Sequence, residues 1–154
     1  MSSASPDVLF DVRVQRLPLA LLDRTRRHVE ELTREFEFLA VGDDENPPAR
    51  LLALVERVGQ RFAGLNDLAE ARVEEALERG DATIDNVYRV PLAAGEACVE
   101  LNAMLDEADE FCREGDLLTL ATPADQVAFR RWFLGEFVEQ LGGRPPTPWP
   151  GPIE

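Results

Sequence analysis

Residues 8–41 read VLFDVRVQRLPLALLDRTRRHVEELTREFEFLAV, and two periodicities meet in this stretch. In its first part Val8, Phe10, Val12 and Val14 alternate with Leu9, Asp11, Arg13 and Gln15. A period of two is that of a half-buried strand. Pro18 marks the change, because proline suits the first turn of a helix. Beyond it Leu22, Thr25, Val29, Leu32, Phe36 and Leu39 recur at intervals of three and four. That spacing lays one apolar stripe along a long helix reaching about Val41. Arg24, Arg26, Arg27 and Arg34 decorate its other faces, with Glu30, Glu31 and Glu35 as partners.

The rest of the chain continues the helical theme. Gly42–Pro48 reads as a loop, and a second helix runs from Pro48 to Ala63 with Leu51, Leu54, Val58 and Phe62 on its apolar face. Gly64 is its stop, and Asn66 or Asp67 caps a short, peripheral third helix ending near Arg79-Gly80. Asp81–Val90 is extended, with Ile84, Asn86, Tyr88 and Val90 on one side. Pairing with the Val8–Val14 strand would make a two-stranded ribbon beside the helices, although Asn86 is a poor core residue. A fourth helix spans Pro91 to Arg113. Ala94, Ala97, Leu101, Met104 or Leu105, Ala108, and Phe111 or Cys112 line its inner stripe, and Asp106, Glu107, Asp109 and Glu110 lie on its outer face. Leu117–Leu120 is an apolar connector. Thr122-Pro123-Ala124-Asp125 starts the fifth helix as cap, first-turn proline and capping-box acid, and Gly142-Gly143 ends it. The expected fold is mostly α: a bundle of four to five helices with a short N-terminal β element. Residues 1–7 form a disordered terminus, 8–143 one helical domain, and 144–154 an extended tail of five prolines around Trp149.

A chain of 154 residues fits one domain, and burying roughly two thirds of its unfolded surface is enough to fold without a staple. The net charge is −14. Nucleic acid and anionic membrane surfaces both require the opposite field. All sixteen basic residues are arginine, so no Schiff-base or P-loop lysine exists. Cys98 and Cys112 fall about 21 Å apart along one continuous helix, too far for a disulfide. The first residues carry no basic segment with an apolar core behind it, and no apolar run matches a membrane span. A cytoplasmic location is the expectation.

The inventory for catalysis is thin. His28 is the only histidine, flanked by arginines, and reads as a surface residue. The cluster Asp106, Glu107, Asp109, Glu110 lacks the Glu-x-x-His pairs of a di-iron bundle and the glycine of a calcium loop. It reads as a solvated helix face or, functionally, as a docking face for a partner's arginines. There is no Gly-rich phosphate loop and no Gly-x-Ser-x-Gly elbow. No catalytic residue, metal ligand or cofactor is assigned. The fifth helix is apolar around most of its circumference, with Phe129, Trp132, Phe133, Leu134, Phe137 and Val138. Such a helix is either central to the bundle or partly an interface. Trp149 either pins the tail or anchors a partner.

Several stretches carry a resemblance: Tyr88-Arg89-Val90-Pro91, Leu105 to Cys112, Gly115 to Pro123, Phe129-Arg130-Arg131-Trp132-Phe133, and Pro145 to Gly151. Together they resemble small actinobacterial proteins encoded beside anti-sigma-factor kinases and STAS-domain antagonists of the partner-switching type. The resemblance implies a regulatory role and no catalytic residue. The leading functional expectation is therefore a non-enzymatic protein that docks another protein, such as an anti-sigma kinase or a STAS protein. Asp106, Asp109, Glu110, Arg130, Arg131, Trp132, Phe133 and Trp149 are the contact candidates, with Arg89 a further ion-pair donor; pairing of one such face with itself would make a homodimer. The alternative is a small-molecule sensor with an interhelical pocket lined by Phe36, Phe62, Tyr88 and Trp132. A cavity holding one buried charge is the feature that would favour it; a solid core would count against it.

Overall fold

The computed structural model describes residues 8–39, 46–115, 117 and 120–154. The expected terminus at 1–7, residues 42–45 of the expected loop, and residues 118 and 119 of the connector lie outside the described residues. The element order is β1 (Phe10–Pro18), α1 (Leu19–Leu39), α2 (Pro47–Arg61), α3 (Asp67–Arg79), β2 (Thr83–Val90), α4 (Ala94–Glu114) and α5 (Ala124–Leu141). The chain is thus mostly helical with a small β element, as its periodicities predict.

β1 and β2 pair antiparallel, with Val12 opposite Tyr88 and Val14 opposite Asn86. Strict alternation would put Arg16 on the core face. An irregularity between Val14 and Leu17 shifts the phase by one, so that Leu17 is buried instead. Its cost is Arg16 at φ 54°, a left-handed conformation unusual for a side chain of this size. The strain is held by polar contacts: the Arg16 N–H donates to Asp85 Oδ1 at 2.8 Å. Phe10, expected on the buried face, is 40% exposed at the end of the ribbon.

Asn86 is fully inside for a clear reason. Its Nδ2 donates to the Ala69 carbonyl at 3.0 Å and its Oδ1 accepts from Val87 N–H, which ties α3 to β2. Asn66 Oδ1 accepts from Arg89 N–H at 3.0 Å rather than capping α3. On the far edge of the sheet, the Gln140 amide accepts from Arg13 N–H and donates to Arg13 C=O, both at 2.8 Å. Side chains therefore occupy edge positions of both strands, where further strands would otherwise pair.

The core divides in two. One cluster surrounds the sheet, with Val12, Leu17, Tyr88, Phe129, Phe137 and Trp149. The other lies at the far end of α1, with Leu32, Phe36, Leu51, Leu105, Ala108 and Cys112. α1 belongs to both, and α5 packs on α1, α4 and β1. The nearly all-round apolarity of α5 thus reflects a central position. The α5 start differs from the expectation. Thr122 spends its hydroxyl elsewhere, Pro123 is the cap residue, and Asp125 Oδ1 accepts only from the adjacent Gln126 N–H.

Candidate functional site

The acidic residues of α4 do not all lie on one solvent-facing surface. Asp109 is 2% exposed because it sits one helical turn beyond Leu105, on the buried stripe. Its Oδ1 accepts from both the N–H and the hydroxyl of Thr122, at 2.9 and 2.7 Å. Its Oδ2 lies 3.7 Å from a guanidinium nitrogen of Arg130. Asp106 binds Arg130 and, at 3.1 Å, Arg131. Of the acidic candidates Asp109 alone is buried; the Asp106 side chain is 44% exposed, and Glu110 lies on the surface facing Arg113 at 3.6 Å. Arg130 is itself 6% exposed, and Arg89 is paired with Asp11 at 3.2 Å. Asp106, Asp109, Arg130 and Arg131 link α4 to α5, and the burial of Asp109 and Arg130 corrects the reading of those two as partner contacts. Burial pushes the Arg130 guanidinium below the usual arginine range, opposed by the charges of Asp106 and Asp109.

The aromatic candidates are also engaged internally. Trp149 stacks edge-on with Trp132 at 5.4 Å and with Phe129 at 5.9 Å. Phe133 meets Tyr88 at 5.7 Å and Phe137 at 5.4 Å. The tail is seated by polar contacts as well: Thr147 N–H donates to Glu136 Oε1, Trp132 Nε1–H donates to Thr147 C=O, and Trp149 N–H donates to Gln15 C=O. Arg16 closes the strap by donating to the carbonyls of Trp149 and Gly151 at 2.7 and 2.9 Å. Trp149 pins the tail.

Phe36, Phe62, Tyr88 and Trp132 do not share a cavity. Phe36 packs edge-on against Phe111 in the far cluster. Phe62 borders a hollow of about 140 Å³, and Trp132 borders one of about 340 Å³ beneath the tail. Large rings fill space instead of enclosing it. A larger cleft lies where four helices meet. It holds about 490 Å³ and is walled by Leu22 and Val29 of α1, Val58 of α2, Leu101 of α4, and Phe129 and Phe133 of α5, among others. This is the gap between the two core clusters. Gly59 contributes to its wall, and a side chain added there would meet nothing within 4 Å.

Four polar residues complete the walls: Thr25, Arg26, Glu30 and Arg130. Thr25 bonds back to the Leu21 carbonyl at 2.7 Å. Arg26 grips Glu70 through both terminal nitrogens, at 2.9 and 3.0 Å. Arg130 Nε is buried and, among the described residues, has no hydrogen-bond partner. Sequence reasoning missed the cleft. The available signal was Arg130 on the Gln126–Phe133–Phe137 stripe of α5, a charge at a core position.

The remaining chemistry is quiet. Among the described residues no three His, Cys, Asp or Glu side chains gather as metal ligands. The His28 ring is partly buried and donates to the Leu120 carbonyl at 2.9 Å, bracing the connector instead of lying free on the surface. Burial pushes both the Cys98 and Cys112 thiols up to about 11, which suppresses the reactive thiolate. No described helix is long and apolar enough to cross a membrane. No protein-family model matches the chain, and neither the curated proteins nor the solved structures contain a significant match.

Proposed function

We propose that this chain is a small-molecule sensor whose interhelical cleft takes a largely apolar ligand. The observation that carries the reading is the 490 Å³ space between two otherwise packed clusters, with the buried Arg130 in its wall. Its size falls within the range of ligand pockets, and its walls are aliphatic and aromatic with few polar groups. An occupant would join the two clusters and draw α2 against α1, α4 and α5. Because a ligand shifts a protein toward the state it binds best, this supplies a signal. The regulatory role implied by the resemblance would be the output of the sensor. Docking on an anti-sigma kinase or a STAS protein would then use surface that the fold leaves open, Glu110 on α4 included.

The test is titration with the neutral dye Nile red. The wild-type chain should brighten and blue-shift the dye, and Val58→Trp, which fills the cleft from α2, should abolish the response with unchanged helical circular dichroism. No response from the wild type, or an equal one from Val58→Trp, would remove the sensor reading.

A further inference from the structure

A second recess lies under the tail and shares no wall residue with the interhelical cleft. We infer that it takes a small organic cation, an alkylated ammonium whose methyl groups fill the recess and whose charge faces Asp125 and Glu154. On α5, Asp125, Ala128 and Trp132 follow one another at three and four residues, so they share one face of the helix. That face, the β1–α1 corner at Pro18 and Leu21, and the tail at Pro150 and Pro152 bound a space of about 340 Å³. The volume is at the small end of the range for ligand pockets. Trp132 is half-buried, and its one polar atom, Nε1–H, is already given to the Thr147 carbonyl. It therefore offers the recess only ring carbon, and Trp149 backs it edge-on at 5.4 Å.

Charge complementarity selects the head group. Of the residues in the wall only Asp125 and Glu154 are charged, and both are carboxylates. Their side chains are 50% and 58% exposed, so an entering cation reaches them without rearranging the core. Arg24 binds both from outside the wall, which leaves one positive charge between two negative ones. A carboxylate has about four lone-pair sites, so each can serve Arg24 and still face a second cation. Arg16 also stands outside the wall, donating to the Trp149 and Gly151 carbonyls. An anion in the recess would meet only like charge, and the net charge of −14 draws cations to the surface in general. The apolar wall selects the alkylated form. A bare ammonium would bring N–H donors that proline and ring carbon cannot satisfy, whereas a methylated one carries its charge without them. Tryptophan is also the best aromatic partner for such a cation. Among the described residues the cation–π pair is Arg61 over Phe62, so the Trp132 ring is not already taken.

The experiment is titration of the full chain with choline, with its uncharged isostere 3,3-dimethylbutanol and with the anionic isostere 3,3-dimethylbutanoate, followed in nitrogen–proton correlation spectra. The Trp132 Nε1–H resonance should move with choline and dimethylbutanol. Choline should saturate at about one tenth of the dimethylbutanol concentration, the factor expected for a cation held by a ring and a carboxylate. The anion should be weakest. Asp125→Asn with Glu154→Gln changes exposed side chains only, so the fold should stand while choline falls to the level of dimethylbutanol. Added salt should narrow the preference in the wild type, because exposed charges are screened. Ala128 is exposed on α5, so Ala128→Phe should fill the recess and abolish both responses with unchanged helical circular dichroism. Equal binding of choline and dimethylbutanol by the wild type, or an undiminished preference in the double variant, would overturn the cation assignment. A silent Trp132 with all three compounds, or a response that survives Ala128→Phe, would overturn the recess as a site. Tighter binding of a trimethyl-lysine peptide than of choline would replace the free cation with a modified partner chain.

Discussion

Asp109 and Thr122 are joined twice through a single oxygen: Asp109 Oδ1 accepts from the Thr122 backbone at 2.9 Å and from its hydroxyl at 2.7 Å. The carboxylate of α4 thereby fixes the residue from which α5 departs, and its other oxygen turns toward Arg130. Asp109→Ala removes all of this and leaves Arg130 buried beside Asp106 alone. Loss of one member of a buried charge pair costs about 3–5 kcal/mol. Glu110→Arg, one residue along and exposed, should stay within about 0.5 kcal/mol of the wild type. Urea unfolding of both variants separates them, and equal midpoints would remove Asp109 as the clasp between α4 and α5.

The tail yields a second prediction. Trp149 is 6% exposed against Trp132 and Phe129, so Trp149→Ala should cost about 3 kcal/mol and lower the melting temperature. Gly151 tests the seat from outside. A Cβ on Gly151 would stand 2.4 Å from Trp149 Cζ2, which forces the ring from its place. Gly151→Ala should therefore red-shift tryptophan emission and destabilise in the same direction as Trp149→Ala. Each variant also frees Arg16 from the Trp149 and Gly151 carbonyls that help hold its left-handed backbone. A Trp149→Ala chain as stable as the wild type, with weakened binding of another protein, would make the tail an anchor.

Much of this fold is legible from residue order, because periodicity reports burial face by face. The β1-to-α1 switch at Pro18, the β2 face of Ile84, Asn86, Tyr88 and Val90, and the ends of α3 and α5 follow from spacing and glycines. The misread elements share a physical cause: polar atoms found partners that lie far away in sequence. Asp109 looks solvated on a helix rich in acids, yet it is inside because Thr122 and Arg130, 13 and 21 residues on, complete it. Thr122 reads as a cap and serves a carboxylate instead. The phase shift at Arg16 depends on Asp85 and on the tail, which no local pattern contains. The cleft was harder still. A void is marked only indirectly, here by Arg130 at a core position of α5, a charge that periodicity alone does not tie to open space.

Alkaline pH offers a third test. The Tyr88 hydroxyl is pushed up to about 12, chiefly by burial and then by the charge of Glu70. Burial likewise raises Cys98 and, joined by the charge of Asp109, Cys112, each to about 11. A group whose proton is held more tightly in the folded chain contributes stability below its unfolded pKa. That contribution is lost as pH rises toward the folded value. Stability should therefore be flat to about pH 9 as regards these three groups. It should then fall, first through the thiols between 9.0 and about 11, then through Tyr88 between 10.0 and about 12. Urea midpoints against pH, read with phenolate absorbance of the folded chain, check this. Phenolate formation near pH 10 without unfolding would show that the Tyr88 hydroxyl is open to water.

The edge of β1 supplies the last prediction. Gln140 on α5 acts as a one-residue strand, accepting from Arg13 N–H and donating to Arg13 C=O. Its Nε2 also donates to Glu136 Oε1, the oxygen that receives Thr147 N–H, so the same amide links strand, helix and tail. Gln140→Met keeps the length of the side chain and removes these bonds. Arg13 is exposed, so water takes over its backbone groups and the loss should be modest, about 1–2 kcal/mol. The sharper effect is local. With its acceptor gone, the Arg13 amide should exchange with deuterium much faster, while Val12 and Val14, buried in the ribbon, change little. Uncovering a strand edge also invites pairing with another copy, so self-association should rise with concentration in sedimentation velocity. Unchanged exchange at Arg13 would mean that the ribbon does not depend on Gln140 for its edge.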